Sequence, residues 1–374
     1  MSPARLLAAL VALTMIAGAA PAAASTGDRW TLADHRRVPL DYHHGLTHVG
    51  SDLFFVGASG GGYLTGVGLQ RITANASLIP ATLQGDVGFD RVGDPTYDRS
   101  GARLLVPLEC HRASRSSEPN TCGVGGLGVI DPVTLAWRYW VRLDAATTTW
   151  AEISPDGEMV WTSSGRDLVA YRASDVSPRH AADGPGSASI RPLRRLRGAV
   201  PSSGVGGAAF SGGKLLLAGR SGAPRVWSVD LATGRRTPTL RLAGTRAEVE
   251  GLAVTAPSGG LLQLLLAPGA IKHPTYGTGR SELLTFVPSS YRVAASANLK
   301  GSALVVHATL RYGVHSHVLA GATVRVAGRA LITDTAGDAR FTLSAQPRRP
   351  LRVTVAKGGL QGVTLTVHPR TATG

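Results

Sequence analysis

The sequence predicts an all-β chain: a ring of repeated four-stranded units followed by a two-sheet sandwich. Three observations carry this. Five segments share one strand–turn–strand grammar at near-regular spacing, Gly (47) and Pro (22) punctuate short Val-, Leu- and Thr-rich runs, and the rhythm changes after Pro288. Such a composition makes many turns and short strands, not long helices.

The N-terminal segment reads as an address label. Arg5 is the lone charge before an apolar run from Leu6 to Ala20, and Ala22-Ala23-Ala24 then offers small side chains for cleavage. This three-part pattern predicts an export signal over residues 1–24, cut between Ala24 and Ser25. The run is short of the roughly 20 apolar residues that span a bilayer. No later stretch is long and apolar enough, so a secreted, extracellular chain without a transmembrane segment is expected. The remaining length fits two domains, at 25–290 and 291–374.

The repeats begin at His44, Asp94, Glu152, Gly207 and Glu250, with starts 50, 58, 55 and 43 residues apart. Each opens a short apolar strand, turns through Gly or Asp, and returns in a stronger apolar strand such as Leu104-Leu-Val106 or Leu215-Leu-Leu217. That period suits the four-stranded blades of a β-propeller, whose repeats run about 40–50 residues. Further strands are readable at Leu127–Asp131, Leu135–Val141, Leu168–Arg172, Arg225–Asp230 and Arg235–Leu242. The turn Asp230-Leu-Ala-Thr-Gly234 reverses the chain, because Asp bonds its own backbone and Gly accepts positive φ. Trp30-Thr-Leu-Ala-Asp34 is placed to pair near Glu282–Val287 and close the ring. A sixth unit has room in residues 57–92 or 172–204, so five or six blades are expected.

Ile153-Ser-Pro-Asp-Gly-Glu-Met-Val-Trp-Thr162 and Trp227-Ser-Val-Asp-Leu-Ala-Thr-Gly234 resemble blade motifs of YVTN-type, NHL and SMP-30-like propellers. This likeness implies the fold over roughly residues 28–290 and serves many functions. After Pro288, Ala303–Arg311 alternates, and strands follow at 319–326, 328–333, 333–343, 351–356 and 362–367, about seven in all, as in a sandwich. Gly321-Ala-Thr-Val-Arg-Val326 with Thr333-Asp-Thr-Ala-Gly337 is similar to bacterial Ig-like and carboxypeptidase-regulatory-like domains. That resemblance implies a spacer or adhesion module.

The formal charge is +15, and Arg5 is the one ionisable side chain of residues 1–24, leaving +14 on the mature chain. Lys214, Lys272, Lys300 and Lys357 are the only lysines. Arg in a chain rich in Ala and Gly reads as codon bias of a GC-rich genome, and no nucleic-acid partner is expected. The densest patch, Arg191 to Arg197, reads as a solvated linker between blades, with an anionic cell-envelope polymer as the partner it would suit. Cys110 and Cys122 lie twelve positions apart in a polar loop. In an oxidising compartment they predict one disulfide, contributing about 3 kcal/mol in the chain-entropy model. A monomer is expected.

The candidate ligand or cation residues are His44, Asp94, Glu152, Glu248 and Glu250, at the step into each innermost strand. Carboxylates converging there would repel each other unless a cation intervenes. Asp94, Glu152 and Glu250 offer hard oxygens for Ca²⁺ or another divalent cation, and His44 would admit a transition metal. The same groups often cap backbone N–H or pair with Arg. Glu248-Val-Glu250-Gly resembles a step in phytase-like and SMP-30-like propellers, which implies a metal-bound water, but the Asn and Asp partners of such a centre are not identifiable. His35, His43, His44 and His48 form a histidine cluster read as channel lining. Gly57–Gly62 and Gly123–Gly128 read as turns, since neither opens a helix as a phosphate loop would. Trp137, Tyr139 and Trp140 read as interblade packing. The expected function is an extracellular binding or scaffold protein with its ligand, protein or polymer, at the channel mouth. The alternative is a metal-dependent hydrolase or lactonase using His44, Asp94, Glu152 and Glu250.

Overall fold

The computed structural model describes residues 30–39, 44–50, 52–57, 63–67, 72–110, 123–184, 186–220, 225–242, 248–255, 260–267, 280–288, 291–312, 315–357, 360 and 362–369. The export signal at 1–24 and Cys122 lie outside them, as do His43 and most of Gly57–Gly62. Cys110 is described, at the end of a strand and buried.

The described residues between 30 and 288 form five antiparallel sheets. Sheet I holds Gly45–Val49, Asp52–Gly57, Tyr63–Val67 and Ile72–Leu78. Sheet II has Arg91–Val92 and Thr96–Asp98 both paired with Arg103–Glu109, then Gly125–Ile130 and Trp137–Leu143. Sheet III holds Glu152–Ile153, Met159–Ser164, Asp167–Arg172 and Arg194–Leu196; sheet IV holds Val205–Ser211, Lys214–Gly219, Arg225–Val229 and Arg236–Arg241. Sheet V combines Glu248–Val254, Leu262–Ala267 and Arg280–Pro288 with the first strand, Trp30–Pro39. The innermost strand of each sheet touches that of the next, and the last touches the first, so the sheets stand around one axis. This is a β-propeller.

The ring is latched by its ends, as the sequence predicts: Trp30 pairs with Pro288, Leu32 with Phe286 and Asp34 with Thr285. Middle strands are apolar on both faces because neighbouring sheets cover each side; Leu104–Leu108 and Leu215–Gly219 are buried throughout. Apolar clusters fill the wedges between sheets, one around Phe89, Leu104 and Trp140, another around Trp150, Phe210 and Leu217. Phe89 meets Trp140 edge-on, with ring centroids 5.3 Å apart. Aromatic packing between blades is thus what Trp140 does.

Turn chemistry repeats between sheets. Asp230 accepts from the Ala232 amide at 2.8 Å, and Gly234 follows at φ +75°. In the equivalent turn Asp131 accepts from Val133 and Thr134, both at 2.9 Å, but Leu135 holds the left-handed position at φ +58°. The Leu135 side chain is buried in the apolar cluster, which offsets the strain.

Two sequence expectations change. Arg194–Leu196 is no linker: it is the outer strand of sheet III, paired with Leu168–Ala170. Outer strands face solvent, so Arg side chains fit there; Arg194 stacks 5.5 Å over the Trp161 ring and Arg195 pairs with Asp167 at 3.1 Å. Gly125–Gly128 is a buried strand rather than a turn, with glycine where Trp137 and Trp140 press on the backbone. Within the described parts of 57–92 and 172–204 no further sheet appears, only strands of sheets I to III and short helical turns.

The described residues between 292 and 367 form two four-stranded sheets around a second core of Leu304, Val306, Val324, Phe341, Val353 and Val355. The first contains Arg292–Lys300, Ala303–Tyr312, His315–Val318 and Asp338–Thr342; the second contains Thr323–Val326, Arg329–Ile332, Leu351–Ala356 and Val363–Val367. Ala33 and Val287 of the latch join this core, and Lys357 lies 3.6 Å from Asp34.

Candidate functional site

The propeller axis is organised by one side chain. Asp94 is fully buried, and its carboxylate accepts from the Leu46 amide (2.8 Å) in sheet I, Ala208 (3.1 Å) in sheet IV and Leu252 (3.4 Å) in sheet V. Its own amide donates to Thr149 O, and its carbonyl accepts from the Ala151 amide, both at 3.0 Å, on the approach to sheet III. Asp94 itself enters sheet II, so one residue ties all five sheets. Glycine makes the approach possible. A Cβ on Gly45 would lie 2.5 Å from Asp94 Cα, on Gly207 2.7 Å from Oδ2, and on Gly251 3.0 Å from Oδ1. Burial raises the Asp94 carboxyl well above its usual range, against the lowering effect of the three amides; the charge of Glu152 nearby adds to the rise.

At the end where chains enter the innermost strands, His44 and Glu250 meet at 3.3 Å through Nδ1, both buried. Arg91 Nη2 lies 3.0 Å from His44 Nε2. Because a guanidinium only donates, Nε2 accepts and the Nδ1–H is directed at Glu250. Arg220 donates to Glu248 at 2.8 Å and stands 3.9 Å from Glu250. Glu109 is buried beside them; burial pushes it up to about 7, against Arg220 and Arg91. Burial alone would lower Arg220, but Glu250, Glu109 and Glu248 hold it firmly charged. The described residues leave only about 10 Å³ here, space for at most one water.

The other end of the axis is open. A cavity of about 370 Å³ is lined by Thr47, His48, Thr96, Tyr97, Glu152 and Ala253, with the turns 98–100 and 154–157 at its rim. Glu152 accepts from the Phe210 amide at 3.0 Å and bonds with Thr96, while burial raises it to about 7. His48 lies 2.6 Å from Gln263 through Nε2, and burial lowers it more than that bond raises it. At the rim, burial would raise Asp98, but Ser100, Arg103 and the Gly101 amide hold it below the carboxylate range. Arg103 also reaches the carbonyls of Val176 and Ala173 on the loop after sheet III's third strand, locking that rim.

The sequence-derived residues therefore do not share one mouth. His44, Glu248 and Glu250 assemble at the closed end, Asp94 sits in the axis, and Glu152 faces the opposite cavity. The proposed metal trio Asp94, Glu152 and Glu250 is dispersed, with oxygens already held by amides, Thr96 or Arg and His. Among the described residues no group of three or more His, Cys, Asp or Glu is placed to hold a metal ion. Of the histidine cluster, His35 pairs with Glu282 at 3.4 Å on the latch, away from His44 and His48. Sequence reading missed Glu109, Arg91, Arg220 and Thr96. An acid ending the apolar run Leu104–Leu108 was the available signal for Glu109, since a buried carboxylate needs partners.

No protein-family model matches this chain, and no curated protein does. Among solved structures it is similar to a luciferin-regenerating enzyme, at 13% identity over 68% of this chain and 95% of the other, with TM-score 0.43. An aldose sugar dehydrogenase from Streptomyces coelicolor in its PQQ-bound form aligns at 12% identity over 69% and 99%, TM-score 0.37. The Myceliophteria thermophila Cps50 (Swd1) β-propeller domain aligns at 16% over 63% and 65%, TM-score 0.34. Likeness this distant carries nothing about activity. Among the described residues, no helix is long and apolar enough to cross a membrane.

Proposed function

We propose that this chain is an exported binding protein, a five-bladed propeller that holds a small ligand in its open axial cavity and is carried on an Ig-like sandwich. One observation carries the reading: a cavity of about 370 Å³ whose floor is built from innermost strands and bears Glu152, His48, Thr47 and Thr96. That volume falls in the roughly 300–1,000 Å³ range of small-molecule sites, and its wall mixes many polar groups with apolar Ile153, Leu252 and Val254. Rigid strands, not loops, position those groups, which favours selective recognition. Five innermost strands in a closed cycle support five blades, and two antiparallel sheets around one core support the Ig-like module as spacer. Export rests on residues 1–24, and a Cys110–Cys122 disulfide fits the compartment.

The metal-dependent hydrolase or lactonase is the weaker reading, because its carboxylates are engaged and apart. The test is a thermal-shift screen of small polar compounds on the full chain, repeated with Ser100→Trp, which fills the rim. Hits lost in Ser100→Trp are expected. Compounds that bind the variant with unchanged affinity, or a screen with no hits, would sink the reading; lactone turnover abolished by Glu250→Ala would replace it with the enzyme.

A further inference from the structure

We infer that the axial cavity recognises a small organic ammonium ion, with Glu152 as the group that receives its charge. This rests on the binding reading above and adds the chemical class of ligand. The two ends of the axis treat their acids differently. At the closed end Glu248 and Glu250 pair with Arg220, and Glu109 feels both Arg220 and Arg91. At the open end Glu152 has only the Phe210 amide and Thr96, and among the described residues no Arg, Lys or His forms an ion pair with it. The chain carries 39 Lys and Arg against 24 acids, so bases to partner this acid were not in short supply.

The groups facing Glu152 from neighbouring elements do not supply that charge. Asp94 lies behind it and is itself an acid. His48, across the cavity, is disfavoured from protonation by burial. Asp98 is already matched by Arg103 at 2.8 Å. Asp156, at the rim, accepts from Ser154 and the Glu158 amide and adds a further negative charge. Among the described lining residues Arg99 is the one Arg or Lys, and it is exposed. A ligand bringing an ammonium group to Glu152 would therefore fill the missing half of a buried ion pair, with Thr96 and Thr47 as hydroxyl partners and Tyr97 as an aromatic wall. The volume restricts the ligand to a small molecule, not a polymer. A bare metal ion is a poor fit, since one carboxylate and hydroxyls fall short of a divalent ion's six or more oxygens.

Binding would also move a proton. Glu152 is raised to about 7 when the cavity holds no cation. An ammonium ion beside it favours the carboxylate, so near pH 7 binding expels up to about half a proton per ligand. The experiment is isothermal calorimetry of the full chain at pH 7.0, in cacodylate and in MOPS, two buffers of different ionisation heat that carry no primary amine, with ethanolamine, putrescine and lysine as probes against glycerol, glucose and CaCl₂. At least one amine is expected to bind, with a heat that differs between buffers, and Glu152→Gln is expected to weaken it at least tenfold. Glutamine keeps the acceptor for the Phe210 amide, and the buffer dependence tests the idea in wild-type protein even should the variant misfold. Amine binding without proton release and unaffected by Glu152→Gln overturns the inference. Glycerol or glucose binding in place of the amines overturns it while leaving the binding reading intact, and Ca²⁺ binding alone overturns the organic class. No binding by any probe overturns it, whereas failure of the broader screen removes the binding reading as well.

Discussion

Replacing Asp94 with Ala tests whether one carboxylate holds the propeller closed. The substitution strips the acceptor from three buried amides, Leu46, Ala208 and Leu252, each in a different sheet. A buried donor left without a partner costs about 1–3 kcal/mol. Part of this returns, because the side chain is itself buried at a cost when charged. The net loss is expected at roughly 3–6 kcal/mol, a large share of a domain's usual ~5–15 kcal/mol. Guanidinium unfolding followed by tryptophan fluorescence is the assay. All six Trp residues precede residue 228, so the signal reports the ring and not the sandwich. Trp150, fully buried next to the Asp94 bridge, is the local probe. A loss below about 1 kcal/mol with an unchanged m-value would show that the ring is held by strand packing alone.

Glu109 and Glu152 both titrate near pH 7 in the folded chain, well above the usual 4.5. Their stabilising contribution is complete below pH 4.5 and is lost as pH rises through about 7, roughly 3 kcal/mol each. The fall in urea midpoint between pH 5 and 7.5 should therefore flatten in Glu109→Gln and in Glu152→Gln; an unchanged slope refutes the assignment. Gly207→Ala should cost several kcal/mol or abolish soluble expression, because its Cβ would sit 2.7 Å from Asp94 Oδ2. Gly50→Ala, with φ +62° but nothing within 4 Å, should cost only about 1 kcal/mol, and equal effects in thermal melts would refute the packing argument. Arg103→Met leaves Asp98 buried without its cation and should cost about 3–5 kcal/mol by denaturant midpoint. A loss within 0.5 kcal/mol, the size of a surface substitution, would refute it.

The repeat starts were legible because each innermost strand announces itself by an acid, His or Gly before an apolar run, and the latch because Trp30–Asp34 lacks any other partner. The meeting point of those starts was not legible. Asp94 precedes its strand by two positions, Glu152 begins its strand, and Glu250 lies third in Glu248–Val254 beside a register shift. A slip of one residue turns a side chain to the other face, so equal repeat positions stand at unequal heights along the axis. The first sandwich strand, Arg292–Lys300, escaped notice because its Ala and Ser residues carry no β-branched signature. Arg91 and Arg220 were invisible as partners, since only the closed ring brings strands more than 100 residues apart to the same acids.

The pairing of Trp30 with Pro288 has a consequence for biogenesis. The opening strand must wait, with its edge unpaired, until almost the whole ring has left the ribosome. Topology this non-local folds slowly and leaves strand edges exposed to wrong partners. Truncation anywhere before Pro288 should therefore yield aggregation rather than a smaller ring, and a holding chaperone would have the most to do on nascent chains of that length.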